Sequence, residues 1–299
     1  MFGGLRLRVA IIGGAGKMGV WFARYFVKCG YDVIISDVRR NEAEAVAKTL
    51  GVKLAKNNLE AVRMSDLSFL STPINVTPKV LIEILPELKK PKIVVEISSL
   101  KFKVLPVMSR IVKRGIKALS IHPLFGSGAR GMAGEKIALI PLHDQESEET
   151  LAKKFFPDAE IIVVDGELHD DVMALTLALT HFVNIVFASV VSEENLEFLR
   201  RLGGTTFMLQ LALSEGVMTE KPSLYASIQI DNKYAAKYLK KFMSKAALLK
   251  EIIENKDFNG FIKFYMSTRR LLSKDKEFAE AYEKMYRALK ALRASNIKT

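Results

Sequence analysis

The stretch "RVAIIGGAGKMGVWFARYF", close to the N-terminus, constrains this chain more than any other. An apolar run that reads as a strand leads directly into Gly14-Ala15-Gly16-Lys17-Met18-Gly19. Apolar positions then recur three and four apart, as on one face of a helix. Strand, glycine turn and helix in that order are what a dinucleotide-binding turn requires. Gly14 is expected to permit the tight turn, Gly16 to let the backbone approach a pyrophosphate, and Gly19 to let the helix pack closely on the sheet. Ala15, Lys17 and Met18 complete the turn, and the first N–H groups of the helix face the phosphates. A second strand, "DVIIS", runs into Asp37, whose carboxylate can accept both ribose hydroxyls and would repel a 2′-phosphate, which favours NAD. Arg39 and Arg40 argue for NADP, since either can clamp a 2′-phosphate or flank the adenine. They also suit the start of a solvated helix in "RRNEAEAVAKTLG".

The same alternation continues through the first half of the chain. Strand-like runs fall at residues 5–12, 32–36, 66–71, 92–98, 117–121, 136–140 and 160–164, with helical periodicity between most of them. One helical stretch, "VLPVMSRIVKRG", closes on Gly115 as a stop signal. From about residue 167 helical periodicity runs almost to the end, and the tail "RASNIKT" is expected to fray. The expected architecture is therefore α/β: an N-terminal Rossmann-type, doubly wound parallel sheet over residues 1–166, followed by an all-helical C-terminal domain over 167–299. No internal repeat or low-complexity segment interrupts it.

Composition narrows the function classes. Over 299 residues, 49% apolar and 26% charged residues can bury two ordinary cores. No run of about 18 uncharged apolar residues appears, and the N-terminus lacks a cleavage-site pattern. A cytoplasmic protein with no membrane partner is expected. Cys29 is the lone cysteine and the four histidines are scattered, so neither a disulfide nor a metal site is expected. The net charge of +12 raises the question of nucleic acid. The lysines of "NKYAAKYLKKFMSKAALLKEIIENKD" mix with Glu251 and Glu254 at helical spacing, however, which is the pattern of a solvated helix face. No nucleic-acid partner is expected, although a basic field favours anionic substrates.

Open α/β sheets bind ligands at the carboxyl ends of their strands. Three polar strand ends stand out: "STPINVTP" with Ser71, Thr72 and Pro73; "EISSLK" with Ser98, Ser99 and Lys101; and "SIHPLFGSGARG" with His122 and Arg130. Each alone also fits a turn or a helix cap; together they suggest a cleft beside a nicotinamide.

With these residues in view, the chain resembles the prephenate and arogenate dehydrogenases of tyrosine biosynthesis. The resemblance rests on the glycine turn, "STPINVT", "VVEISSLK", "IHPLFGSG", "LHDDVMALTLALTHF" and "PSLYASIQIDN". It looks closest to single-function forms without a fused chorismate mutase. The resemblance implies hydride transfer from the 4-hydroxyl carbon of prephenate to the nicotinamide, with loss of CO2 as the ring becomes aromatic. It makes His122 the acceptor of the hydroxyl proton, Ser99 the group that orients that hydroxyl, and His181 a substrate-pocket residue. His169 and Asp170 would fix the start of their helix, with Asp170 acting on its dipole, and His143 would be a surface loop residue. It also implies a homodimer through the helical domain, whose broad apolar faces suit a helix-to-helix seam.

One departure is conspicuous. Family members usually carry a carboxylate-binding arginine in the helix before "LYA", where this chain has Met208 and Gly216, and no arginine lies between Arg201 and Arg269. Arg130 is the expected substitute, with Lys101 or Lys17 contributing. Two other readings stay open: a dehydrogenase of another small acid, such as a β-hydroxyacid dehydrogenase or an imine reductase, and a nicotinamide-binding regulator without activity.

Overall fold

A computed structural model describes residues 7–295. The first two residues of the expected strand at 5–12, and the last four of the expected frayed tail, lie outside the described residues. The chain divides into two compact units. One comprises the chain up to Met173 together with Ile230–Asn232, and the other the remaining helical residues. The first unit thus runs past the boundary expected after residue 166 and takes back a short segment from the second half.

The first unit holds an eight-stranded sheet in the order β3-β2-β1-β4-β5-β6-β7-β8. Its strands are β1 Arg8–Ile12, β2 Asp32–Ser36, β3 Lys53–Leu54, β4 Leu67–Leu70, β5 Ile93–Glu96, β6 Lys117–Pro123, β7 Lys136–Ile140 and β8 Glu160–Val163. All neighbours pair in parallel except β6 and β7. The expected doubly wound sheet is therefore present. It gains β3, whose two residues are too few to show a period in the sequence. Parallel strands covered on both faces read as unbroken apolar runs, and Leu67–Leu70 and Ile93–Glu96 are buried throughout.

Helix α1, Lys17–Lys28, buries Gly19, Phe22, Ala23 and Phe26 on a single stripe. Phe22 and Phe26 meet Phe69 of β4 at centroid distances of 4.5 and 5.4 Å. Each buried phenylalanine contributes about 1.5–3 kcal/mol, so the helix that opens at the glycine turn is firmly docked. Helix α2, Arg40–Leu50, stops at Gly51 in the left-handed region (φ +65°). Helix α3 is Asn58–Met64, α4 Thr77–Ile84 and α5 Leu105–Lys113, the last ending before Gly115 at φ +74°. Helix α6, Gln145–Phe155, is capped by the Asp144 carboxylate, which accepts the Ser147 N–H.

Among the described residues the helical half contains no strand. Residues Gly166–Val191 form one helical run: α7 Gly166–Met173, a π-helical turn at Ala174–Leu179, and α8 Thr180–Val191. This helix is long and apolar enough by composition to span a membrane. Thr, His, Asn and Ser interrupt its apolar residues, so it does not stand out as an unbroken apolar run in the sequence. Helices α9 Leu196–Leu202, α10 Thr205–Met218, α11 Pro222–Ile230, α12 Ala235–Glu254, α13 Phe258–Leu272 and α14 Ala281–Ser295 follow. In the second unit α8 packs on α10, and there Asn184 Oδ1 accepts from Gln210 Nε2 at 2.9 Å and Ser214 Oγ at 3.0 Å. Large apolar side chains of this unit lie open, among them Val190, Leu213, Met218, Phe258 and Leu271.

Candidate active site

The site is built at the carboxyl edge of the sheet, where β1 pairs with both β2 and β4 and the strand order reverses. At that switch point Gly13, not Gly14, takes the left-handed backbone (φ +84°). A Cβ on Gly13 would lie 2.4 Å from the Ser71 carbonyl oxygen after β4. Gly14 serves another purpose, because a Cβ there would meet Ile35 of β2 at 2.7 Å. Gly19 behaves as the motif requires: a Cβ would come within 2.1 Å of the Gly13 carbonyl oxygen, so only glycine lets α1 start this close to the sheet. Gly16 caps α1 without a side-chain hydrogen bond, leaving the first turn open to an anion.

Asp37 lies beside this turn and is already engaged. Its Oδ2 accepts the Ala15 N–H at 3.0 Å and Arg39 Nη2 at 3.2 Å; its Oδ1 accepts the Arg39 N–H at 2.9 Å and Arg39 Nε at 3.2 Å. The carboxylate is nearly buried beneath the guanidinium. Arg40 faces elsewhere, to Glu44 and the Ala55 carbonyl. Across the switch point the Thr72 hydroxyl is paired with that of Thr77 at 2.8 Å, and Pro73 is exposed.

His122 belongs to the end of β6 itself, opposite Ala138 of β7, and is 5% exposed. The expected strand stopped one residue short of it. Its Nδ1 lies 3.0 Å from Nε2 of His169, and among the described residues its Nε2 has no hydrogen-bond partner. Burial holds the His122 imidazole well below its usual pKa of 6.5, and the nearby His169 and Lys101 act in the same direction. The ring is therefore neutral at pH 7 and able to accept a proton. Ser99 is half-buried after β5, while the neighbouring Ser98 hydroxyl is buried without a partner.

Lys101, expected at the substrate, is instead turned into the protein interior. Its side chain is fully buried and Nζ lies 2.7 Å from Glu96 Oε1 and 2.7 Å from the Ile121 carbonyl oxygen. Glu96 also accepts the Ser98 N–H at 2.7 Å and bonds the Ser120 hydroxyl. A buried ammonium needs such partners, so Lys101 turns beneath the sheet edge and braces the residue before His122. The signal for this pair was Glu96, a carboxylate inside the otherwise apolar "KIVVEIS".

Asp170 also departs from expectation. It does not act on its own helix start, which Asp165 caps by accepting the Glu167 and Leu168 N–H groups. Asp170 instead accepts the Lys101 N–H at 2.9 Å, the Phe102 N–H at 2.9 Å and His169 Nδ1 at 2.9 Å.

Arg130 is exposed on the loop after β6. That loop is tied to α1, because Trp21 Nε1 donates to the Ala129 carbonyl at 2.7 Å and Trp21 packs on Phe125. Lys17 is exposed at the start of α1. In the second unit His181 lies 4.6 Å from Tyr225, ring to ring, and its Nδ1 is buried without a partner; burial lowers its pKa. A Cβ on Gly216 of α10 would meet no atom within 4 Å. His143 is exposed, as expected. Among the described residues no group of three metal-ligating side chains occurs.

Glycine turn, switch point and strand-end histidine define a nucleotide-binding α/β protein of the doubly wound class. The profile described as prephenate dehydrogenase, nucleotide-binding domain, matches residues 22–144, and that described as prephenate dehydrogenase, dimerization domain, matches residues 165–268. The chain belongs to the prephenate dehydrogenase family. It is 30% identical over 263 residues to the probable arogenate/prephenate dehydrogenase of Methanocaldococcus jannaschii, covering 86% of this chain and 59% of that one. It is 27% identical over 268 residues to the T-protein of Haemophilus influenzae, covering 88% and 66%. The chain thus spans about three-fifths to two-thirds of the length of these curated relatives. Its fold matches that of the prephenate dehydrogenase of A. aeolicus crystallised with hydroxyphenyl propionate and NAD+, with a TM-score of 0.73 at 19% identity, over 91% of this chain and 99% of that one.

Proposed function

We propose that this chain oxidises prephenate, with transfer of hydride to NAD and loss of CO2, giving 4-hydroxyphenylpyruvate. The observation that carries the reading is His122: a buried, neutral imidazole at a strand end beside the nucleotide edge, with an unoccupied Nε2. NAD supplies the hydride acceptor when bound. The glycine turn and the first turn of α1 would hold its pyrophosphate, and Asp37 with Arg39 would face its adenosine ribose. His122 Nε2 takes the proton of the ring hydroxyl, and Ser99 orients that hydroxyl. The ring then becomes aromatic as the carboxylate leaves as CO2. The electrons of the broken C–CO2 bond return through the ring to its oxygen, which takes back the proton from His122, so the net change is the loss of hydride and CO2. His181 is proposed as a substrate-binding residue on the family resemblance. The test is stoichiometric: with prephenate, reduced nicotinamide and CO2 appear one for one. If arogenate alone gives that result, with tyrosine as product, the substrate is arogenate. Turnover with neither would remove the reading.

Arg130 is proposed as the anchor for the ring carboxylate in place of the missing helical arginine, since a dianion needs a fork of donors and the loop is pinned by Trp21. Arg130→Ala is expected to raise the substrate KM about tenfold or more, as for loss of a charged hydrogen bond, with the KM for NAD unchanged. An unchanged substrate KM would send the anchor elsewhere.

NAD is proposed over NADP because a carboxylate at the end of β2, as Asp37 is, would repel a 2′-phosphate. Arg39 already covers that carboxylate, and it can turn to a 2′-phosphate once the acid is gone. Asp37→Ala is therefore expected to weaken NAD roughly tenfold and to reverse the cofactor preference. Loss of both cofactors in parallel would mean that Asp37 only supports the turn through Ala15.

The apolar side chains left open in the second unit support a homodimer through its helices, and a cytoplasmic location is proposed with it. No nucleic-acid or membrane partner is proposed.

A further inference from the structure

We propose that His169 and Asp170 fix the tautomer and orientation of His122, making His169 a positioning residue for the reaction. This rests on the reading of His122 as the proton acceptor.

The chain of hydrogen bonds has one consistent direction. Asp170 is buried and takes the backbone N–H groups of Lys101 and Phe102 on its two oxygens. A carboxylate used in that way accepts only, so His169 Nδ1, 2.9 Å from Oδ1, must be the donor. Burial keeps His169 below its usual pKa of 6.5, and a neutral ring with hydrogen on Nδ1 has its lone pair on Nε2. That nitrogen lies 3.0 Å from Nδ1 of His122, which must then donate. His122, neutral in turn, keeps its lone pair on Nε2, the nitrogen without a protein partner. The order from amides to carboxylate to imidazole to imidazole leaves one free base at the end.

Two further contacts fix the array. Asn232 Nδ2 donates to the Asp170 carbonyl at 2.8 Å, and Asp231 pairs with Lys103 at 2.7 Å. Both acceptors and donors lie in the first compact unit, because Ile230–Asn232 returns to it. The "IDN" end of "PSLYASIQIDN" therefore holds α7 in the register that presents His169.

When His122 gains the hydroxyl proton at Nε2, its Nδ1–H bond to His169 becomes charge-assisted and stronger. No further proton transfer is needed. The two rings meet edge to face at 76°, which fits a directed N–H to lone-pair bond.

The test reads the tautomers directly. The chain has four histidines, so long-range proton–nitrogen spectra of the full chain labelled at histidine nitrogen resolve each ring, with His122→Asn and His169→Gln giving the assignments. His122 and His169 are both expected as neutral Nδ1–H rings at pH 7. Wild-type His122 carrying its proton on Nε2 overturns the proposal whether or not the protein turns over prephenate. In His169→Leu the direction is lost, and His122 is expected to shift toward the Nε2–H form. The kcat should fall about a hundredfold, in line with losses from a mis-set tautomer or base, with KM values within twofold. His169→Gln can still accept from His122 Nδ1 and should recover at least a tenth of wild-type kcat. A folded His169→Leu enzyme at wild-type turnover, or a His169→Gln enzyme as slow as His169→Leu, contradicts the proposal. Absence of turnover in the wild type, with both rings in the expected tautomer, would cost the prephenate reading and leave this inference standing.

Discussion

His122→Asn is expected to lose about 10²–10⁴ in kcat, the usual contribution of a positioned general base, while the dissociation constant for NAD stays within about twofold. The separation follows from the architecture. The nucleotide turn is made by Gly13 to Gly19 between β1 and α1, and His122 comes from β6, with β4 and β5 between the two strands. An asparagine at the end of β6 preserves the strand pairing with Ala138 and can still offer an N–H to His169. What it removes is the basic nitrogen. The wild-type pH profile carries a companion expectation. Because burial, His169 and Lys101 all lower the His122 pKa, the acid limb of kcat/KM should have its midpoint below 6.5. A midpoint above 6.5, or near wild-type turnover in His122→Asn, would take His122 out of the mechanism.

Lys101→Met is expected to have the largest effect on stability. Lys101 and Glu96 are both without solvent contact, and removing the ammonium would leave a buried carboxylate held by the Ser120 hydroxyl and the Ser98 amide. Breaking such a pair costs about 3–5 kcal/mol, which for a unit of this size corresponds to a fall in Tm of roughly 10 °C. The double variant Glu96→Gln with Lys101→Met should recover much of the loss, since it removes the stranded charge. Urea denaturation with a loss under about 1 kcal/mol in Lys101→Met would contradict this account. The pair also matters for the site, because Nζ holds the carbonyl of Ile121, next to His122 in β6.

Much of this was legible in the residues. The parallel strands announced themselves as unbroken apolar runs, and Gly19 is forced by the close start of α1. Other features needed three dimensions. Gly13 and Gly14 adjoin, and the spacing rule assigns the turn to the second, yet the left-handed backbone falls on the first because the Ser71 carbonyl crowds it across the switch point. Lys101 follows a polar strand end and looks like a ligand from its sequence; only its neighbour Glu96, charged within an apolar run, hinted that the lysine would turn inward. Asp170 sits near a helix start, which suggests a dipole role, but its partners are amides 68 and 69 residues away in the chain. The link from His122 to His169 spans 47 residues, and no periodicity carries such a contact.

The most direct test of the central claim is a single turnover with prephenate deuterated at the carbon bearing the ring hydroxyl. The account predicts that the deuterium appears in the reduced nicotinamide, in step with release of CO2, and that His122→Asn suppresses both together. An aromatic product that retains the deuterium, formed without reduced nicotinamide, would contradict it.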